Sequence, residues 1–210
     1  MLIEYIKLYN YNISVQMKRT LLKAALLAVV SAMVCVPRSV AQEVYPNALK
    51  FTFLSWASGS TKISYERALP AHRQSAEICA SLIGAGYDKY HNRPLGFTLR
   101  YGHKFFLWDY SAERPLDGFY LRPEAIFCRY TYDSAATHNR TLAQMGALLA
   151  TAGYQHTFGR FLVDGWVGGG YSFGTPADTG YHHGFQVWDW FGTRNDHIAL
   201  SFSIRLGWCF

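Results

Sequence analysis

A period of two governs this chain from residue 47 onward, and it is strictest in the last thirteen residues, IALSFSIRLGWCF, from Ile198 to Phe210. Ile198, Leu200, Phe202, Ile204, Leu206, Trp208 and Phe210 share one parity, while Ala199, Ser201, Ser203, Arg205, Gly207 and Cys209 share the other. Such alternation describes an extended strand with one apolar face. Terminal residues of a soluble domain usually fray into water, so an apolar end this regular implies that it is held in a sheet. At about 3.3 Å per residue and a tilt near 40°, the stretch would extend roughly 33 Å along a bilayer normal, enough to cross a hydrocarbon core.

Seven further segments repeat the pattern between turn signals. They are 48–57, 61–69, 75–87, 95–104, 118–130, 140–158 and 161–173. In the first, Leu49, Phe51 and Phe53 oppose Lys50 and Thr52; in the fourth, Leu95, Phe97, Leu99 and Tyr101 oppose Thr98 and Arg100. Pro123 lies within the fifth and cannot donate a ladder hydrogen bond, so a bulge is expected there. The sixth has no clear parity. A long connection follows the fourth segment, and residues 174–195, rich in Gly, His and Trp, form the longest loop. No window after residue 42 has a helical period.

Composition narrows the setting. Charged residues make up 16% and aromatics 17% of 210 residues, against roughly 25% charged in an ordinary soluble domain. No downstream run of 18 apolar residues offers a spanning helix. The formal charge of +6 is concentrated at the amino end: Lys7, Lys18, Arg19, Lys23 and Arg38 are five of the 20 basic residues, and Glu4 is one of the 14 acidic ones. The remainder carries a net charge of only +2, so nucleic-acid binding loses its support.

From Met17 the chain reads as a secretory signal peptide: Lys18 and Arg19, an apolar core from Leu21 to Val36, and Ser39-Val40-Ala41 before the cut. Residues 1–16 read as an upstream start extension, 17–41 as the signal peptide and 42–210 as one domain. Cys79, Cys128 and Cys209 match neither a zinc pattern nor a compact disulfide framework, and read as small apolar fillers.

An open sheet with one oily face would leave unpaired backbone in lipid, so it must close. The expected fold is all-β, an eight-stranded antiparallel up-and-down transmembrane β-barrel. Trp56, Tyr65, Tyr87, Tyr101, Trp108, Tyr171 and Trp208 fall near strand ends, where interfacial aromatics belong. Inward charges are expected at Lys50, Arg100, Arg122 and Arg205 against Glu66, Glu77, Glu124 and Asp164. Isolated charges there would be costly, whereas mutual pairs offset the desolvation. Eight strands enclose a space that side chains fill. The expectation is a salt-bridged, plugged lumen rather than an open pore.

The terminal strand, with GFYLRPEAIFCRY (118–130) and AGYQHTFGRFLVDGWVGGGYSFG (152–174), resembles the small eight-stranded barrels of Gram-negative outer membranes. It is similar to the transmembrane domain of outer membrane protein A and to barrel-only relatives. The resemblance covers about residues 46–210. It implies location in the outer membrane of the cell envelope, contact with outer-membrane lipids and lipopolysaccharide, and a monomer. It also implies that Phe202, Ile204, Leu206, Trp208 and Phe210 act as an assembly signal read by the barrel assembly machinery. The implied role is structural or surface-interacting, porin-like in architecture only.

Two alternatives stand beside it. A lipid A deacylase-like enzyme would carry closely spaced His and Ser on one strand, but His197 and Ser201 lie four residues, about 13 Å, apart in an extended chain. No catalytic residue is assigned. A soluble lipocalin-like periplasmic carrier would turn its apolar faces inward. His182 and His183 lack the further ligands of a metal site, so neither metal nor cofactor is expected. With Phe185, Trp188 and Trp190 they offer a possible surface contact in the long outer loop.

Overall fold

The computed structural model describes residues 44–210 apart from 71, 72, 109 and 191, with the side chain of Trp190 also outside the description. The upstream extension and signal peptide expected at 1–41 lie outside the described residues. Nine strands form a single antiparallel sheet: β1 (Asn47–Phe51), β2 (Ser60–Ala68), β3 (Gln74–Ile83), β4 (Leu95–Trp108), β5 (Gly118–Asp133), β6 (Arg140–Phe158), β7 (Phe161–Thr175), β8 (Gln186–Trp190) and β9 (Thr193–Cys209). Sequential neighbours pair up to β7, which pairs with β9. The sheet then closes on itself through β1 and β9, with Ala48 opposite Cys209 and Phe51 opposite Leu206. At the closure Asn47 and Phe210 exchange backbone hydrogen bonds of 3.2 and 2.9 Å. The final residue is therefore pinned to the first strand. No helix among the described residues is long and apolar enough to cross a membrane.

Closure makes one face of every strand an interior. Lys50, Glu66, Glu77, Arg122, Asp164 and Arg205 are buried, while Leu49, Ile78, Leu99, Val167 and Phe202 of the opposite parity are exposed. The parity of β6 is now assigned: Ala143, Met145, Ala147, Leu149 and Thr151 face inward. The interior is layered. Ile83, Ile126, Cys128, Tyr130, Met145, Phe185 and Val187 form an apolar cluster towards one end. Ala48, Leu116, Leu162 and Cys209 form another towards the end that holds the chain closure. Cys79, Cys128 and Cys209 are free and buried.

The strands depart from the sequence expectations at four places. The first segment, expected extended over 48–57, stops at Phe51 and enters a helical turn, α1 (Phe53–Trp56). Ser55 Oγ donates to the Thr52 carbonyl at 2.6 Å and Ser58 Oγ to the Ser55 carbonyl at 3.1 Å. These local bonds compete with the ladder and turn the chain aside. Pro123 is not at a bulge: it pairs in register with Ala150 of β6. On its other side the ladder to β4 lapses after Gly102–Glu124 and resumes in the same register at Phe105–Leu121; the irregularity falls at Phe106/Trp108. The missing Pro N–H removes a bond without inserting a residue. β4 continues to Trp108, shortening the long connection expected after it. Residues 174–195 are not all loop, since β8 folds back on the start of β9 in a hairpin turning at Gly192 (φ 73°).

Candidate functional site: the charged interior

All eight charged residues singled out from the sequence lie inside the ring. Their centre is Glu77 and Asp164. Lys50 Nζ is 3.0 Å from Glu77 Oε2 and 3.0 Å from Asp164 Oδ2, and it also contacts Glu66. Arg205 Nη2 donates to Glu77 Oε2 at 2.9 Å and to Asp164 Oδ2 at 2.7 Å. Arg122 Nη1 reaches Glu77 Oε1 at 3.2 Å, and its Nε donates to Thr151 Oγ1 at 3.1 Å. Arg122 also lies beside Glu124, Nη2 to Oε2 2.8 Å, though outside hydrogen-bonding alignment. Arg100 stands at the periphery. Its Nη1 is 3.4 Å from Glu124 Oε1, and its Nη2 donates to the Gly184 carbonyl at 2.5 Å.

Several members were missed in the sequence. Lys104 is fully buried, with Nζ 3.1 Å from both Glu66 Oε2 and Asp164 Oδ2 and 2.5 Å from Gln155 Oε1. Tyr120 Oη donates to Asp164 Oδ1 at 2.6 Å. The Trp166 ring lies beneath the guanidinium of Arg205 at 4.2 Å and that of Arg122 at 4.7 Å, a favourable contact for a desolvated cation. Lys104 shares its parity with Arg100, so the signal was present. Lys62 shares its parity with Ser64 and Glu66 and also faces inward. The inward faces of the strands thus carry six cations, Lys50, Lys62, Arg100, Lys104, Arg122 and Arg205, against the four carboxylates.

Glycines make the packing possible. A Cβ on Gly153 would come within 2.5 Å of Tyr120 Oη, and one on Gly102 within 2.6 Å of Arg122 Cδ. Both network side chains occupy space that only a missing side chain leaves.

The three central carboxylates are already neutralised by cations of the chain itself. Glu66, Glu77 and Asp164 bring their oxygens within 4.8 Å of one another, but Lys50 and Lys104 already supply cations to them. Each of these three carboxylates is engaged by at least two cations. What the cluster does is bind the strands to one another and fill the interior.

In the long loop, His182, His183 and Phe185, offered from the sequence as a possible surface contact, are 0%, 4% and 2% exposed, and Trp188 is half-buried. They fold down over the apolar layer, where Tyr130 Oη lies 3.2 Å from His182 Nδ1. Burial lowers the His182 pKa to about 4 and that of His183 to about 3. His182 Nε2 and His183 Nδ1 have no hydrogen-bond partner among the described residues. Among the terminal residues, Phe202, Ile204, Trp208 and Phe210 are exposed on the outer face and Leu206 is half-exposed. His197 stacks on Tyr171 at a ring separation of 5.4 Å, whereas Ser201 Oγ points inward and donates to the Gly184 carbonyl at 3.0 Å.

No protein-family model, curated protein or solved structure matches the chain.

Proposed function

We propose that the chain is an eight-stranded up-and-down β-barrel spanning a Gram-negative outer membrane, with a structural or surface-interacting role and no open pore. One observation carries this reading: the usual distribution of side chains is inverted. Charged residues fill the interior, and Ile78, Leu82, Leu99, Leu148, Val167 and Phe202, each at least half exposed, cover the outside. A soluble globule does not expose so wide an apolar surface, but a strand face turned to lipid requires it. The exposed strand charges Arg67, Arg129, Arg140, Asp189 and Arg194 fall towards strand ends. A lipocalin-like carrier would need the reverse arrangement. In this reading the barrel closes through eight strands and β8 belongs to an outer hairpin. The terminal strand is the feature an assembly machinery would read, and lipids and lipopolysaccharide are the surrounding partners.

The plugged interior argues for a non-conducting barrel. Apolar layers at both ends enclose the charge network. The test is refolding into detergent or vesicles. Unboiled protein should migrate differently from boiled protein on a denaturing gel, and planar bilayers should show no stepwise conductance. Incubation with lipopolysaccharide and phospholipid should release no acyl product, and turnover that depends on a His would favour the enzyme instead.

A further inference from the structure

The wall of the ring has a seam. β9 pairs with β1 only over Leu206–Cys209 and with β8 only over Thr193–Leu200, so on that edge no described strand covers Ser201–Arg205. The seam exists because β1 stops at Phe51, and α1 stands where a longer first strand would have closed it. A cavity of about 260 Å³ opens here. Its lining joins the two faces of the sheet. Leu54 and Phe202, 47% and 76% exposed, belong to the outer surface, whereas Lys62, Arg100, Trp166 and Arg205 belong to the interior.

Lys62 distinguishes this cavity from the ion-paired network beside it. Arg205 is held by Glu77 and Asp164, and Arg100 by Glu124 and the Gly184 carbonyl. Lys62 has no ion pair or side-chain hydrogen bond among the described residues, is only half-buried, and adds to an interior already in cationic excess. A cation in such a place favours an anion beside it. The space is smaller than the ~300–1,000 Å³ of ordinary small-molecule clefts, so it suits a head group and the start of one chain.

We propose that the seam is a lateral binding site for an anionic single-chain amphiphile, its head group against Lys62 and its alkyl chain leaving between Leu54 and Phe202. This rests on the membrane-barrel reading, since the chain must emerge into hydrocarbon. A fatty-acid carboxylate and a lysophospholipid phosphate supply the same chemistry.

The test uses the refolded chain in a nonionic detergent with a photoactivatable palmitate. Cross-links should fall on peptides containing Leu54 or Phe202. Palmitate or lysophosphatidylglycerol should compete at concentrations at least tenfold lower than neutral methyl palmitate, and the better competitor identifies the head group. Lys62→Met should reduce labelling about tenfold while keeping heat-modifiable migration. Labelling unchanged in that variant, or competition by the methyl ester equal to both anions, overturns the proposal and leaves the barrel standing. Loss of heat-modifiable migration in the unmutated chain would instead remove the barrel reading beneath it.

Discussion

Arg205 and Glu77, 128 residues apart in sequence and on strands separated by two others, meet inside the ring with Nη2 donating to Oε2 at 2.9 Å. Glu77 is also approached by Lys50, Lys104 and Arg122. Its removal would leave four buried cations sharing fewer carboxylates. Glu77→Ala should lower unfolding stability by about 3–5 kcal/mol, the usual cost of breaking a buried pair from one side. Glu77→Gln, which keeps an acceptor and the volume, should cost less. Urea midpoints of refolded protein in vesicles would decide, and an unchanged midpoint for the Ala variant would mean that the network does not hold the strands.

Tyr120 depends on the absence of a side chain at Gly153. Gly153→Ala should crowd both the phenol and the Gly165 carbonyl, each 2.5 Å from the added methyl, push the phenol away from Asp164 and destabilise by about 1–3 kcal/mol, as overpacking generally does. Tyr120→Phe removes the hydrogen bond to a carboxylate without crowding, at a cost of about 1.5–3 kcal/mol. If both act through the same contact, the double variant should lose less than the sum of the two, which a double-mutant cycle in the same unfolding assay would measure.

Leu99 on β4 lies outward between Ala80 of β3 and Phe127 of β5, well inside the strands on either side. Trp208 lies outward two residues from the carboxy end. In a bilayer the first should sit near mid-depth and the second near an interface. Leu99→Arg should therefore cost about 2–4 kcal/mol and Trp208→Arg about 0–1 kcal/mol for the introduced charge. Equal, negligible effects in vesicles would indicate that water, not hydrocarbon, meets this surface.

The docked loop should respond to acid. His182 and His183 are neutral when buried, with pKa values lowered to about 4 and about 3, and each would return to an ordinary value near 6.5 once released. The released state binds more protons below about pH 6.5, so docking is favoured fully above that value and weakens as pH falls towards 4 and 3. Arg194 and Asp196 act on His182; Lys62 and Asp88 act on His183. Tyr130 and Tyr181 face the two rings without carrying charge at these pH values. Amide exchange in residues 181–187 should accelerate at least tenfold between pH 7 and pH 4.5, relative to β5 and β6. The double variant His182→Gln, His183→Gln should abolish that difference.

The extent to which this molecule is legible in its sequence varies by element. β9 alternates strictly from Ile198 to Cys209, because its outward positions are large and apolar and its inward ones small or charged. In β6, small residues such as Ala147, Ala150, Gly153 and Thr151 are acceptable on either face, and the parity disappears from the text. The long loop is hard to read for a related reason. Phe185 and the two histidines lie between turn residues and look exposed locally, yet the open end of the ring offers them an apolar layer to cover.

The sequence by itself determined the all-β character, the antiparallel succession of strands and the facing of most residues, since parity is a local property of an extended backbone. Only the tertiary structure decided which cation meets which carboxylate, where the outer loop docks, and that β1 stops short and leaves Lys62 beside a seam. The pairings and the docking depend on strands far apart in the chain, and the seam appears because the local turn at Thr52–Ser58 falls where the ring must close.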